Sequence, residues 1–329
     1  MWQRRDAPLR WSTSERCQTL SPCVLRAFVS LWFASVITYH LPTMLRQRTG
    51  SIVCPGCGSL VGVNDDTCYN CGRRNPGLWG FAPLLRRWGQ DLGFGPFVIV
   101  ASIGLYLATL VASANPLSGQ GMFSFLSPDT RALVLFGASG ALPVFELGWW
   151  WTVLSAGWLH GGLLHILFNM NALRQLAPPV AELYGAGRMM IVYTAGGVLG
   201  FTASSVMGYV APGVPLLGGS TVTIGASAPI FGLLGAIAYY GHRSGSSAMR
   251  AMALQNAAIM FAMGLFLPGI DNWAHAGGFG GGWLMSQWLD PLTRERIDHL
   301  IAGLVCVALT GLAVLASLVL GLLIINQGG

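Results

Sequence analysis

Two short stretches of this chain could do chemistry together. In Gly225-Ala-Ser-Ala-Pro-Ile-Phe-Gly232 a serine stands at the head of a short apolar run, and in Asp271-Asn-Trp-Ala-His-Ala-Gly-Gly278 a histidine opens another. A serine at a helix start has two uses. Its oxygen caps a free backbone N–H, or it serves as a nucleophile where free N–H groups and the helix dipole favour an oxyanion. Taken alone, Ser227 reads as a cap or as a small residue for helix packing. His275 shifts that balance, because an ionisable side chain in an apolar span is costly and marks function by default. Behind it, Gly278 and Gly282 share one helix face and admit a close neighbour. The expected neighbour is the Ser227 helix, with its own Gly232 and Gly235. Close backbones would bring Oγ within reach of the imidazole, as nucleophile and base. Phe231, one turn after Ser227, is placed to stack on that ring or simply to pack in the core.

A second polar set comprises His160, His165, Asn169 and Asn171, all assigned to a helix over 158–177. His165 and Asn169 are four apart and share a face. Both can donate hydrogen bonds to developing negative charge, or serve as glue between helices. Asp271 stands four residues before His275, where it either orients the imidazole or caps the helix.

The cysteines carry a third pattern. Cys54-Pro-Gly-Cys57 and Cys68-Tyr-Asn-Cys71 are two C-x2-C knuckles, the arrangement that supplies four thiolates to one tetrahedral zinc. Gly58 and Gly72 come directly after the knuckles and suit tight turns. The segment is too short for a core of its own, so the metal would supply its folding energy. A pair of disulfides or a redox dithiol would use the same residues; a cytoplasmic location disfavours disulfides. Four filled positions leave none for catalysis. Cys17, Cys23 and Cys306 are scattered and read as small hydrophobes.

The elements that must position these groups are membrane spans. Of the 329 residues 53% are hydrophobic and 9% charged, against about 25% charged in soluble domains. The 45 glycines and 12 tryptophans fit a polytopic helical membrane protein. The net charge of +6 is therefore read as topological, not as a sign of nucleic-acid binding. Spans are predicted near 96–114, 158–177, 187–210, 227–241, 251–268, 273–289 and 299–325. Between the first two lies a long loop of low charge, ending in the interfacial tryptophans Trp149, Trp150 and Trp151.

These spans divide the chain into parts. Residues 1–43 form a leader, 44–76 a zinc ribbon, 77–95 a linker, 96–290 a helical core, and 291–329 an additional C-terminal helix. The leader could be a signal peptide or a further span, but exporting the ribbon and linker would put Arg73, Arg74, Arg86 and Arg87 outside, against the positive-inside rule. A translation start at Met44 removes that conflict and is the expected reading. With the ribbon cytoplasmic, Arg174, Arg188, Arg243, Arg250, Arg294 and Arg296 also lie inside and Arg131 alone outside. Both the Ser227 and His275 ends then face the outer side.

The run from Ser227 to Tyr240 would span roughly 21 Å, short of a hydrocarbon core of about 30 Å. Its outer end must lie below the membrane surface. The stretch before it, 211–226, is rich in Gly and Pro and is no helix; such backbone survives at depth only within protein or against water. A water-filled cavity with Ser227 at its floor is expected.

Taken together, His165-Ile-Leu-Phe-Asn169, Gly225-Ala-Ser227, Phe231 and Asn272-Trp-Ala-His275-Ala-Gly-Gly278 resemble the rhomboid intramembrane serine proteases, over roughly residues 96–290. The resemblance implies an all-α polytopic fold with a six-helix core, and a Ser227–His275 dyad without a carboxylate. It implies an oxyanion hole made by the Ser227 N–H, His165 and Asn169, with Phe231 packing on the histidine. Trp151 resembles the tryptophan of the family's Trp-Arg loop motif, with Thr152 in the arginine's place. Ala228 replaces the usual glycine after the serine and must keep negative φ. The 299–325 helix resembles the C-terminal addition of some subfamilies.

The expected activity is cleavage of transmembrane protein substrates in a bacterial cytoplasmic membrane, with no cofactor for catalysis, structural zinc in the ribbon, and an unidentified ribbon partner. The rivals are an inactive rhomboid-like scaffold and a broken-helix transporter. A transporter would show internal repeats, and an inactive relative would typically lack the serine or the histidine.

Overall fold

The computed structural model describes residues 49–54, 58–72, 74–77, 89–114, 125–214, 218–267 and 269–327. The leader with its start-site reading, Cys57, and most of the predicted linker lie outside them. The ribbon begins with β1 (Ser51–Val53) paired antiparallel with β2 (Leu60–Gly62), Ser51 opposite Gly62 and Val53 opposite Leu60. Ile52, Val61 and Val63 turn inward onto Cys54 and Cys68. That small cluster is far short of the burial an independent domain needs.

Seven long helices come next among the described residues: α1 (Phe94–Ala112), α4 (Leu163–Tyr184), α5 (Ala186–Val210), α6 (Ser227–Ser244), α7 (Ser247–Phe266), α8 (Asn272–Trp288) and α9 (Ile297–Gln327). The predicted spans match them to within a few residues at most ends. By length and composition α1, α5, α7 and α9 are each long and apolar enough to cross a membrane. A short helix, α2 (Thr130–Leu135), lies in the segment expected to be one long loop, and another, α3 (Thr152–Ser155), directly follows the tryptophans that end it. Asp129 starts α2 by accepting the Ala132 N–H at 2.7 Å, and its other oxygen accepts the Ala114 N–H at the end of α1.

Two expectations about α4 are corrected. Its predicted end at 177 falls just before Pro178 and Pro179, which lack the N–H donors of a helix interior. The helix nevertheless continues to Tyr184, because Val180, Ala181 and Tyr184 are buried and the Tyr184 hydroxyl donates to the Ala236 carbonyl at 2.8 Å. At the other end a 3₁₀ turn over Ala156–Trp158 precedes Gly161 and Gly162, so α4 starts only at Leu163. His160, expected on this helix, lies in the connection before it.

Helices α5, α6 and α8 form the centre. Their backbones meet along glycines: a Cβ on Gly282 would overlap the Gly232 carbonyl oxygen, and one on Gly278 would overlap that of Ala228. This is the small-residue contact that close helix packing in membranes requires. Helix α7 buries only Ala253 and leaves Met252, Ile259, Met263 and Phe266 exposed, the pattern of a lipid-facing helix. Helix α9 crosses α5 near Gly187, where an added Cβ would run into the Leu300 backbone. Just before α9, the Arg188 guanidinium of α5 donates to the carbonyls of Asp290 and Thr293.

Candidate active site

Ser227 is the first residue of α6, and the chain reaches it through a turn that only glycine adopts easily. Gly225 has φ 121°, and its N–H donates to the Ala156 carbonyl at 3.0 Å. The residue that caps α6 is Ala226, so the Ser227 hydroxyl is not spent as a helix cap. Among the described residues no hydrogen bond holds that hydroxyl, and the side chain is half-buried. Ala228 is buried in the first helical turn and has no positive φ. The irregular backbone expected between α5 and α6 is present in the described part of that segment, pinned by a two-way backbone pairing of Thr223 with Ser139.

His275 sits in the first turn of α8 and is buried. Its ring lies face to face with that of Phe231, centroids 4.1 Å apart and planes 13° from parallel. Ser227 and Phe231 are four apart on α6 and share a face, so the face bearing the hydroxyl is the one turned to the imidazole. One step along each helix, Ala228 and Ala274 pack in one cluster with Phe201 and Ala156. Ser227 and His275 are thus each the neighbour of a residue in that contact. They are not hydrogen-bonded to each other here; catalytic pairs often lie long and tighten only with substrate. Nδ1 of His275 is buried without a hydrogen-bond partner among the described residues.

Asp271 has a different job from orienting the imidazole. One carboxylate oxygen accepts the Ala274 N–H at 3.0 Å, and the other accepts the Ser204 hydroxyl. The residue caps α8 and ties it to α5.

His165 lies in the first turn of α4. Its Nδ1 accepts the Gly161 N–H at 3.2 Å, which assigns the proton of the neutral ring to Nε2. That Nε2 faces the Gly225 turn: a Cβ built on Gly225 would lie 2.6 Å from it and 3.8 Å from Ser227 Oγ. A donor and the serine oxygen therefore flank one small volume that glycine keeps clear. Asn169 is buried, and its Nδ2 donates to the His165 carbonyl at 3.0 Å, leaving one amide hydrogen. His160 packs edge-on against His165 with centroids 5.2 Å apart. Gly161 as the partner of His165, and Ser204 as the partner of Asp271, had no signal in the sequence. Each acts through a contact that no local spacing encodes.

The loop bearing the tryptophans is partly buried. Trp150 is exposed, whereas Trp149 is buried and stacks on Trp151. The Thr152 hydroxyl donates to the Trp149 carbonyl at 2.7 Å.

In the ribbon, the sulfurs of Cys54, Cys68 and Cys71 lie within 4.8 Å of one another, with Cys54 and Cys71 3.7 Å apart. Zinc–sulfur bonds of about 2.3 Å at tetrahedral angles require sulfurs about 3.8 Å apart. The three described cysteines fit that metal. Both knuckles close alike: the Gly58 N–H donates to the Cys54 carbonyl and the Gly72 N–H to that of Cys68, each at 2.9 Å. Both glycines have positive φ, 76° and 69°.

A rhomboid domain model matches residues 147–290, from the tryptophan loop through α8. Among curated proteins, the chain is 32% identical over 187 residues to rhomboid protease GluP of Bacillus subtilis, covering 56% of this chain and 34% of that protein. It is 29% identical over 213 residues to RHOMBOID-like protein 4 of Arabidopsis thaliana, covering 58% and 50%. With Rhomboid-like protease 5 of Toxoplasma gondii it shares 30% over 167 residues, covering 49% and 19%. The matched region thus spans half or less of these relatives' own lengths. The matched stretch encloses the elements that carry Ser227, His275, His165 and Asn169, and over it this polytopic helical membrane protein is similar to the rhomboid family.

Proposed function

We propose that this protein is an intramembrane serine endopeptidase that cleaves transmembrane segments with a Ser227–His275 dyad. The observation that carries the reading is the Phe231–His275 stack, which sets the imidazole against the α6 face that bears Ser227.

In the proposed reaction, His275 takes the Ser227 proton as Oγ attacks the scissile carbonyl carbon. The carbonyl π bond becomes an oxyanion. It accepts hydrogen bonds from the Ser227 N–H, which has no partner within its helix because it lies in the first turn, from His165 Nε2, and from the remaining Asn169 amide hydrogen. The imidazolium returns its proton to the leaving amine as the C–N bond breaks. Water then attacks the acyl ester with His275 again as base, and Oγ leaves with a proton. The π face of Phe231 favours the cationic ring during both steps.

An intact helix offers no free carbonyl, so substrates should carry Gly, Pro or small residues near the cut. Their entry past α7 agrees with how little of that helix is buried. We assign the ribbon and the arginine-rich connections to the cytoplasm and the site to the outer side, in a bacterial cytoplasmic membrane. Cys57 would complete a structural zinc site with Cys54, Cys68 and Cys71; the reaction needs no cofactor.

The test is purified full-length protein with a model transmembrane substrate. Wild type should cleave it and react with a fluorophosphonate, while Ser227→Ala and His275→Ala do neither. Equal cleavage by all three would overturn the dyad. Neither cleavage nor labelling by wild type would favour an inactive scaffold.

A further inference from the structure

We propose that Ser317, on α9 and outside the matched domain, is a positioning residue for the Ser227 site. It acts by holding the Trp151 indole, and the proposal rests on the serine-protease reading above. Ser317 is buried. Its hydroxyl donates to the Ala313 carbonyl at 3.0 Å, which leaves its lone pairs free, and one accepts the Trp151 Nε1–H at 3.1 Å. An indole is a donor only, so among the described residues this is the single bond its nitrogen makes.

The segment behind that indole leads to the catalytic turn. Thr152 is buried and bonded back to the Trp149 carbonyl. Three residues later, Ser155 donates to the Gly137 carbonyl at 2.7 Å. Gly137 is clamped between two hydroxyls: an added Cβ would overlap Ser155 Oγ and stand 2.8 Å from Ser317 Oγ. Next comes Ala156, whose carbonyl accepts the Gly225 N–H. Gly225 lies two residues before Ser227 and directly against His165 Nε2. A second route runs from Thr152 through Ser139 at 3.4 Å to the backbone pairing of Ser139 with Thr223. Whatever moves the 149–156 segment therefore moves the turn that aims both the nucleophile and an oxyanion donor.

This gives α9 a role in the site. The loop motif that Trp151 resembles has an arginine where this chain has Thr152. Here the Thr152 hydroxyl turns back to the Trp149 carbonyl, and the Trp151 indole is held by the additional C-terminal helix.

The experiment uses full-length protein in proteoliposomes and the variants Ser317→Ala, Trp151→Phe and the double variant. One readout is the rate of fluorophosphonate labelling at Ser227; the other is amide hydrogen exchange, which does not depend on activity. Losing one hydrogen bond of about 1 kcal/mol should slow labelling by about three- to tenfold in each single variant. The double variant should be no slower than the singles, because both remove the same bond. Exchange should rise over residues 149–158 and at the Gly225 amide, and remain unchanged at the centre of α5. Unaltered exchange at Gly225 in Ser317→Ala would overturn the proposal, as would losses that multiply in the double variant. If wild type fails to label at all, the protease reading falls, and the exchange data still decide whether the tie exists.

Discussion

His165 and Gly225 meet so closely that a methyl group on the glycine would lie 2.6 Å from the imidazole Nε2. This contact sets a ring whose other nitrogen is held by Gly161 against the turn that delivers Ser227. If His165 supplies an oxyanion donor, His165→Ala should lower kcat by about 10²- to 10³-fold with little change in KM. Asn169→Ala should lose less, since one of its amide hydrogens is already engaged. Steady-state cleavage of a transmembrane substrate measures both, and a pure KM effect would argue against the role.

The stack of Phe231 on His275 should matter to rate more than to folding. Aromatic pairs contribute about 0.5–1.5 kcal/mol beyond burial. Phe231→Leu is therefore expected to reduce kcat/KM by roughly two- to tenfold while keeping most of the buried area. Phe231→Tyr should retain activity if its hydroxyl is accommodated, and thermal unfolding in detergent separates rate from stability.

Glycines on α8 should divide sharply by position. Gly282→Ala drives a methyl into the Gly232 carbonyl oxygen, a backbone atom that cannot step aside. It is expected to lower the unfolding temperature and the yield of folded protein. Gly280→Ala meets nothing within 4 Å and, by removing a flexible residue from a helix, should be neutral or stabilising. Equal behaviour of the two would mean that α6 and α8 are not in contact as described.

The ribbon should hold one zinc per chain. Chelation should make residues 51–77 sensitive to protease while the helical circular dichroism signal stays, since metal supplies the folding energy of such small modules. Cys68→Ser should reproduce the effect without chelator. Protein prepared without chelator and found free of zinc would refute the assignment.

Asp129 gives a pH dependence that can be signed. The N–H groups of Ala132 and Ala114 hold its carboxyl below the usual carboxylate range. Its stabilisation is therefore full above the ordinary carboxylate pKa and is lost as pH falls through the lowered value. Asp129→Ala should cost about 1 kcal/mol at neutral pH, and the difference from wild type should shrink in acid. Unfolding followed at neutral and at acidic pH checks both statements.

Much of the fold was legible because each span is a long apolar run bounded by Gly, Pro or Arg. Ser227 and His275 stood out because reactive side chains are conspicuous in such runs. The features that escaped were set by tertiary contact. Pro178 and Pro179 look like a stop, yet buried Val180 and Tyr184 carry α4 onward. His160 reads as part of α4 because nothing in its neighbours announces the 3₁₀ turn before it. Asp271 could be read either as an orienter or as a cap, and its bond to Ser204, 67 residues away, accounts for its second oxygen. The Trp151–Ser317 bond joins residues 166 apart, a separation over which local pattern carries no information.

The glycine seam that joins α6 to α8 has a mechanical corollary. Two rods whose main chains touch cannot rotate or slide past one another without collision, so Ser227 and His275 travel as a single rigid block. Under the proposed function, admission of a bulky guest would depend on parts held more loosely, and α7, with Ala253 its one buried residue, is the part best able to swing.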